Sequence, residues 1–87
     1  MNDKLISVIT PTYNCGRFIS QTIESVLSQT YKNWEMIIVD DHSSDNTREI
    51  LKAYMHDNQR IKYYILEENQ GAAVARTIAM SYAKGSY

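Results

Sequence analysis

Apolar residues along this chain come in two rhythms. Three short runs, residues 5–10, 36–39 and 61–66, are apolar and rich in β-branched or aromatic side chains, which is the composition of strands. Three longer stretches carry apolar residues every three or four positions, the period of a helix with one buried stripe. The first, about 17–29, has Ile19, Ile23, Val26 and Leu27 in its stripe. The second, about 47–55, has Ile50, Leu51 and Tyr54, and Asn46 followed three residues later by Glu49 predicts a capping box at its start. The third, about 72–83, has Ala75, Ile78, Ala79 and Tyr82, with Gly85 as its expected stop. Connections rich in Asn, Ser, Asp and Gly separate these elements.

The order is β-α-β-α-β-α, an α/β pattern. The run 36–39 is apolar without alternation, so its strand should be covered on both faces, as in parallel sheets. Tyr63 and Tyr64 then bulk out opposite faces of the third strand. Right-handed crossovers lay the helices against a parallel sheet. The first strand is expected to end at Pro11, which has no N–H to give to a ladder. Residues 84–87 read as a helix end turning into another strand. Three parallel strands make a thin sheet with open edges, a risk for association. The chain is therefore expected to be the N-terminal part of a longer α/β domain. The alternative is a complete small domain that associates with itself through those edges. At this length only about 60–65% of the unfolded surface is buried, so stability is marginal either way.

Composition narrows the partners. The formal net charge of −1 gives no electrostatic case for nucleic acid or an anionic membrane surface. No apolar run approaches the ~20 residues that span a bilayer, and residues 1–4 lack a signal-peptide layout. Cys15 is the only cysteine, which excludes an internal disulfide and a cysteine zinc site and fits a reducing, cytoplasmic setting.

The candidate chemistry sits where the strands stop. The first run ends in Pro11-Thr12-Tyr13-Asn14 and the second in Asp40-Asp41-His42-Ser43. Ligands of open parallel sheets bind beyond the carboxyl ends of the strands, so a ring, an amide and two carboxylates are expected at one edge. That set suits a nucleotide, with Tyr13 stacking on the base and acceptors reading its N–H groups. Tyr13 could instead only pack its loop on the first helix. Thr12 and Asn14 could bond a base or ribose, or cap that helix. Asp40 and Asp41 point to opposite faces of a strand, so one can order the Ser43-Ser44 loop while the other faces a ligand. The pair could also hold a divalent metal, or serve only as turn acceptors. His42 could be an acid or base beside two carboxylates, or a solvated loop residue. His56 lies near a helix end, where the dipole favours a cation, and Cys15 has only Arg17 nearby to activate it. Asn69-Gln70-Gly71 follows the third strand and opens a helix, so its amides could receive a phosphate. Neither a Walker loop nor a dinucleotide fingerprint is present. Arg76 could reach a diphosphate, pair with Asp41, or stay solvated.

Four blocks, taken in order, carry a family resemblance. They are Ser7-Val8-Ile9-Thr10-Pro11-Thr12-Tyr13-Asn14, then Ser25-Val26-Leu27-Ser28-Gln29-Thr30-Tyr31-Lys32-Asn33-Trp34-Glu35, then Ile38-Val39-Asp40-Asp41-His42-Ser43-Ser44-Asp45-Asn46-Thr47, and last Asn69-Gln70-Gly71 with Ala75-Arg76 and Gly85-Ser86-Tyr87. Over nearly its whole length the chain resembles the N-terminal part of family 2 glycosyltransferases. The resemblance implies the GT-A fold, a three-layer α/β/α Rossmann-like arrangement, and a nucleotide-sugar donor, commonly a UDP-sugar. It implies that Tyr13 stacks on the base, that Pro11, Thr12 and Asn14 line its pocket, and that Asp41 accepts from uracil N3–H. Asp40 would support the loop or the nucleotide, Gly71 would form the turn after the third strand, and Arg76 would lie near the diphosphate. His42 stands where the family often has glycine, and Thr77 where it often has asparagine. The resemblance further implies Mg²⁺ or Mn²⁺ held by a DxD-type motif, a catalytic carboxylate, and a carbohydrate or lipid-linked acceptor, with the metal motif and the carboxylate beyond these 87 residues. No catalytic or metal-binding residue is therefore expected here. Peripheral attachment at the inner face of a membrane would likewise depend on other segments. Two other classes stay open on the residues alone. One is a non-catalytic nucleotide-binding module with the same pocket. The other is a flavodoxin-like or receiver-like interaction domain, which would carry acidic residues at the first strand's end, where Pro11-Thr12-Tyr13-Asn14 stands.

Overall fold

A computed structural model describes residues 4–87; the expectation for the chain's start falls mostly on residues 1–3, outside them. The elements alternate as β1 (Ile6–Thr12), α1 (Ile19–Ser28), β2 (Trp34–Asp40), α2 (Thr47–Asp57), β3 (Ile61–Ile65) and α3 (Ala72–Tyr82). The three strands form one parallel sheet in the order β1-β2-β3. In register, Ile6 lies opposite Trp34 and Thr12 opposite Asp40, while Met36 lies opposite Ile61 and Asp40 opposite Ile65. All three strands thus finish level at one edge.

The sheet is covered on both sides, as the unbroken apolarity of β2 requires. Every residue of β2 is buried. On one face Trp34, Met36 and Ile38 pack with Ile19 and Ile23 of α1, Leu51 of α2 and Ile61. On the other, Ile37 and Val39 pack with Ala75 and Ala79 of α3. Alanine at these two positions lets α3 approach the sheet closely. Tyr63 joins the first cluster and Tyr64 the second, and Tyr64 stacks on Tyr82 with ring centroids 4.1 Å apart. At the start of β2 the Arg60 guanidinium lies 4.1 Å from the centroid of the Trp34 ring, a cation–π contact.

Several boundaries differ from expectation, each for a local reason. β1 continues through Pro11 to Thr12. The N–H of Ile6 points toward β2, to Asn33 O, whereas that of Ser7 points to the other edge, to Ser86 O. By this alternation the missing N–H of Pro11 falls on the side away from β2, so the ladder with β2 loses nothing. α1 starts at Ile19 rather than near 17, after a turn in which Phe18 N–H and Ile19 N–H both donate to Cys15 O. The capping box on α2 does not form: Asn46 makes no side-chain cap bond, and the Thr47 N–H donates instead to Asp45 Oδ1 at 3.0 Å. Gly85 is not a left-handed helix stop either, because α3 ends at Ala83 in extended backbone. Its role is close approach, since a Cβ there would meet Leu5 O at 2.3 Å.

That approach belongs to a second pairing. Ser86 makes one isolated parallel bridge to Ile6 on the outer edge of β1. A buried polar hub fixes this segment. Glu35 Oε2 accepts from Ser7 Oγ at 2.5 Å and from the Lys84 N–H at 2.7 Å, and the Gly85 N–H donates to Ser7 Oγ at 2.9 Å. Burial alone would raise the Glu35 carboxyl, but the Ser7 and Lys84 hydrogen bonds and the Lys62 and Lys84 charges outweigh it and hold the carboxyl below its ordinary value.

Candidate functional site

The two loops that leave β1 and β2 are laced together at the level edge. The Thr12 hydroxyl donates to Asp40 Oδ1 at 2.7 Å, and the Asp41 N–H donates to Thr12 O at 2.8 Å. Asp40 also accepts from the Ser43 hydroxyl at 2.6 Å and, at Oδ2, from the Ser43 N–H at 2.8 Å. The same Ser43 hydroxyl receives the Asn14 N–H at 2.8 Å. Asn14 Oδ1 in turn accepts from the Ser44 N–H at 2.8 Å and the Asp45 N–H at 3.3 Å. Asp45 Oδ2 closes the lacing by accepting from the Gly16 N–H at 3.0 Å. The Thr47 hydroxyl bond, with backbone N–H groups of Thr47 and Gly16, holds the Asp45 carboxyl below the usual range.

This network decides between alternatives that the sequence left open. Asp40 is 0% exposed and accepts three hydrogen bonds from Thr12 and Ser43, so it orders the loop and presents no surface to a nucleotide. Thr12 and Asn14 do not cap α1, which has no side-chain cap. Thr12 spends its proton on Asp40, and the Asn14 carbonyl is occupied by the second loop.

Asp41 does something the sequence did not reveal. It is 3% exposed and points to the opposite face from Asp40, toward α3. Its Oδ1 accepts from the Gln70 N–H at 2.7 Å and its Oδ2 from the Gly71 N–H at 2.8 Å. Its carbonyl accepts from Asn69 Nδ2 at 3.2 Å. The amides of 70 and 71, which the sequence offered to a phosphate, are therefore taken by the protein's own carboxylate. It is these amides, not Arg76, that hold Asp41; Arg76 is exposed on α3. Gly71 has φ 98 and ψ 155, a region essentially restricted to glycine.

Tyr13 is 51% exposed and follows Thr12. It lies in the bend directly after β1, one residue past the strand end, as Asp41 lies one residue past the end of β2. Pro11 is half-buried just before it. The edge thus carries an open phenol ring, a nearly buried carboxylate held by two loop amides, and an exposed arginine further along α3. Among the described residues no group of three or more His, Cys, Asp or Glu could hold a metal ion. Asp40 and Asp41 diverge to opposite faces, so the paired-metal alternative does not fit these residues.

Other candidates resolve as structural. His42 has φ 61, a left-handed conformation that costs a β-carbon about 1–2 kcal/mol, which is the physical reason glycine suits this position. Its Nδ1 lies 3.0 Å from Leu66 O and 3.2 Å from Arg48 Nη2, and one tautomer can serve only one of them. The ring thus bridges to the end of β3 and not to either carboxylate. Cys15 packs against the α1–α2 cluster, and Arg17 lies over the Phe18 ring, 5.7 Å from its centroid. His56 is exposed in the last turn of α2. A cavity of about 650 Å³ lined by Glu49, Lys52, Ala53, Met55, His56 and Tyr63 shares no residue with the strand-end network. Ser43 orders its loop with Asp40 as the sequence allowed, whereas Asp45 and Gln70 were missed as partners. The Ser-Ser-Asp-Asn-Thr run after Asp41 was the available signal, since such residues bond local backbone.

A parallel sheet flanked by helices on both faces, with its strands ending level at one edge, is the layout of a doubly wound α/β domain, in which ligands bind beyond the carboxyl ends of the strands. The chain belongs to glycosyl transferase family 2, whose profile matches residues 7–87. It is 54% identical over 83 residues to TuaG of Bacillus subtilis strain 168, a glycosyltransferase assigned to teichuronic acid biosynthesis; the match covers 95% of this chain and 33% of TuaG. It is 48% identical over 87 residues to WfgD of Escherichia coli, named UDP-Glc:alpha-D-GlcNAc-diphosphoundecaprenol beta-1,3-glucosyltransferase, covering 100% of this chain and 34% of WfgD. Among solved structures it is similar to S. aureus TarS 1-349 in complex with UDP-GlcNAc, with TM-score 0.85, 34% identity, and 94% of this chain and 24% of that one covered. It is also similar to the mannosyltransferase PcManGT of Pyrobaculum calidifontis in complex with GDP-Man and Mn²⁺, with TM-score 0.88, 25% identity, and 98% and 26% covered. The fold is that of the GT-A glycosyltransferases. The chain spans about a third of the length of these curated relatives.

Proposed function

We propose that this chain is the base-holding part of the donor site of a glycosyltransferase that moves a sugar from a UDP-sugar to an acceptor hydroxyl. What supports the reading is that β1 and β2 end level, with the open Tyr13 ring one residue past the first strand and the amide-held Asp41 carboxylate one residue past the second. Uracil stacked on Tyr13 can donate its N3–H to a carboxylate oxygen that still has a free lone pair. Asp40, Thr12, Asn14 and Pro11 hold the two loops in place around it, Gly71 sets the turn, and Arg76 is positioned on α3 to meet negative charge on the diphosphate. A Mg²⁺ or Mn²⁺ on that diphosphate would take ligands from elsewhere in a longer polypeptide, as would the general base for the acceptor. The similarity to WfgD and TuaG supports a carbohydrate or lipid-linked acceptor in cell-surface polysaccharide or glycolipid assembly. Among the described residues no helix is long and apolar enough to cross a membrane. A cytoplasmic donor site with peripheral contact at the inner membrane face is the arrangement we favour.

Titration of the chain with UDP, followed by amide NMR signals, tests the reading. Tyr13→Ala should weaken UDP binding by about 5- to 150-fold, the range of a base–aromatic stack worth about 1–3 kcal/mol, while leaving the fold intact. Equal binding by the variant, or a preference for FMN over UDP in the unaltered chain, overturns it. The chain alone should release no UDP from a UDP-sugar, because the reading takes the general base and the metal ligands from elsewhere in a longer polypeptide; measurable turnover would contradict that.

A further inference from the structure

We propose that Gln70 and Gly71 are positioning residues for base discrimination: their two N–H groups fix the Asp41 carboxylate in the orientation that selects uracil over cytosine. The inference rests on the reading that Asp41 faces the base. A free aspartate carboxylate turns easily about its last torsion, which has broad wells. Here the Gln70 N–H at 2.7 Å and the Gly71 N–H at 2.8 Å each hold one oxygen, so both ends of the group are pinned. Bonds from amides to an ionised acceptor are short and strong. Asn69 adds a third tie at the Asp41 carbonyl, 3.2 Å away. The two loop amides take about half of the carboxylate's acceptor positions, and the base reading gives the N3–H another. A carboxylate held this way attracts the N3–H of uracil and repels N3 of cytosine, which carries a lone pair and no proton. A loosely held carboxylate could swing away from cytosine, and the discrimination would be lost.

The glycine requirement at 71 has the same cause. A Cβ at Gly71 would meet nothing within 4 Å, so neighbours leave room for a side chain. What excludes one is the backbone, at φ 98 and ψ 155. An L-residue would relax to another region and rotate the 71 amide off Oδ2. The conformation is therefore fitted to delivering that N–H.

Dissociation constants for UDP and CDP, measured by NMR titration on the chain, Gly71→Ala and Asp41→Asn, test this. The unaltered chain should prefer UDP by about tenfold or more, as expected for one hydrogen bond to a charged group. Asp41→Asn should erase the preference, because its amide can turn its NH₂ to cytosine N3. Gly71→Ala should reduce the preference by at least about threefold, largely by letting CDP bind better, a change that loss of fold would not produce. If Asp41→Asn keeps the preference, the base reading fails and this inference with it. If Asp41→Asn erases it but a folded Gly71→Ala keeps it, the base reading stands and the positioning role is overturned. Should Gly71→Ala not fold, amide exchange in the unaltered chain decides. Protection of the Gln70 and Gly71 amides with UDP bound supports the role, and their release on UDP binding refutes it.

Discussion

Asp41→Asn is the substitution whose cost can be worked most directly from the structure. The carboxylate accepts the Gln70 N–H at one oxygen and the Gly71 N–H at the other. Asparagine keeps one acceptor and replaces the other with an NH₂, so one backbone donor must face another whichever way the amide turns. A hydrogen bond to a charged group contributes about 1.5–3 kcal/mol. The negative charge at the start of α3 adds about 0.3–1 kcal/mol through the helix dipole. The sum is about 2–4 kcal/mol, against a total stability of about 4–13 kcal/mol for a chain of this length. For small domains each kcal/mol moves Tm by about 4–8 °C. Thermal unfolding followed by circular dichroism should therefore show Tm lowered by at least about 8 °C. A fall of less than about 4 °C would mean that Asp41 does not tie the loop to β2.

Three further outcomes follow from the packing and the charges. Ile38→Ala, at the centre of β2 with no exposure, should destabilise by about 2–5 kcal/mol in urea unfolding. Glu35 is held below its ordinary pKa of 4.5 in the folded chain, so its contribution is present above that value and lost as pH falls through the folded pKa. Tm should thus drop on acidification below about pH 4.5, and Glu35→Gln should flatten that part of the profile. At residue 42, where φ is 61, glycine should give a more stable chain than alanine by about 1 kcal/mol, since both lose the ring and only alanine keeps the strained Cβ; equal stabilities would argue against the left-handed conformation.

The element order and the layers were legible because they depend on period and polarity. The unbroken apolar β2 required two covering layers, and Ala75 and Ala79 at helical spacing marked the face of α3. Tyr63 and Tyr64 went to opposite faces because neighbours in a strand must. Local chemistry misled where two residues competed for one role. Asn46 and Asp45 are both plausible caps, and only the path of the loop brought Asp45 to the Thr47 amide. Pro11 looked like a strand end because the direction in which its N–H would point depends on the pairing.

Sequence alone determined that Tyr13, Asp40 and Asp41 lie where the first two strands stop, though not the last residue of each strand. It could not divide the work between the two aspartates, because Asp40 bonds to Thr12, 28 positions back, as well as to nearby Ser43, and Asp41 bonds to amides 29 and 30 positions on. Tertiary structure made that division. Register set Thr12 against Asp40 and buried that carboxylate in the loop lacing, and the return of the chain before α3 brought the amides of 70 and 71 to Asp41. Hydrophobic pattern is a local property and survives in one dimension. The partner of a hydrogen bond is fixed only when distant segments are brought within 3 Å or so.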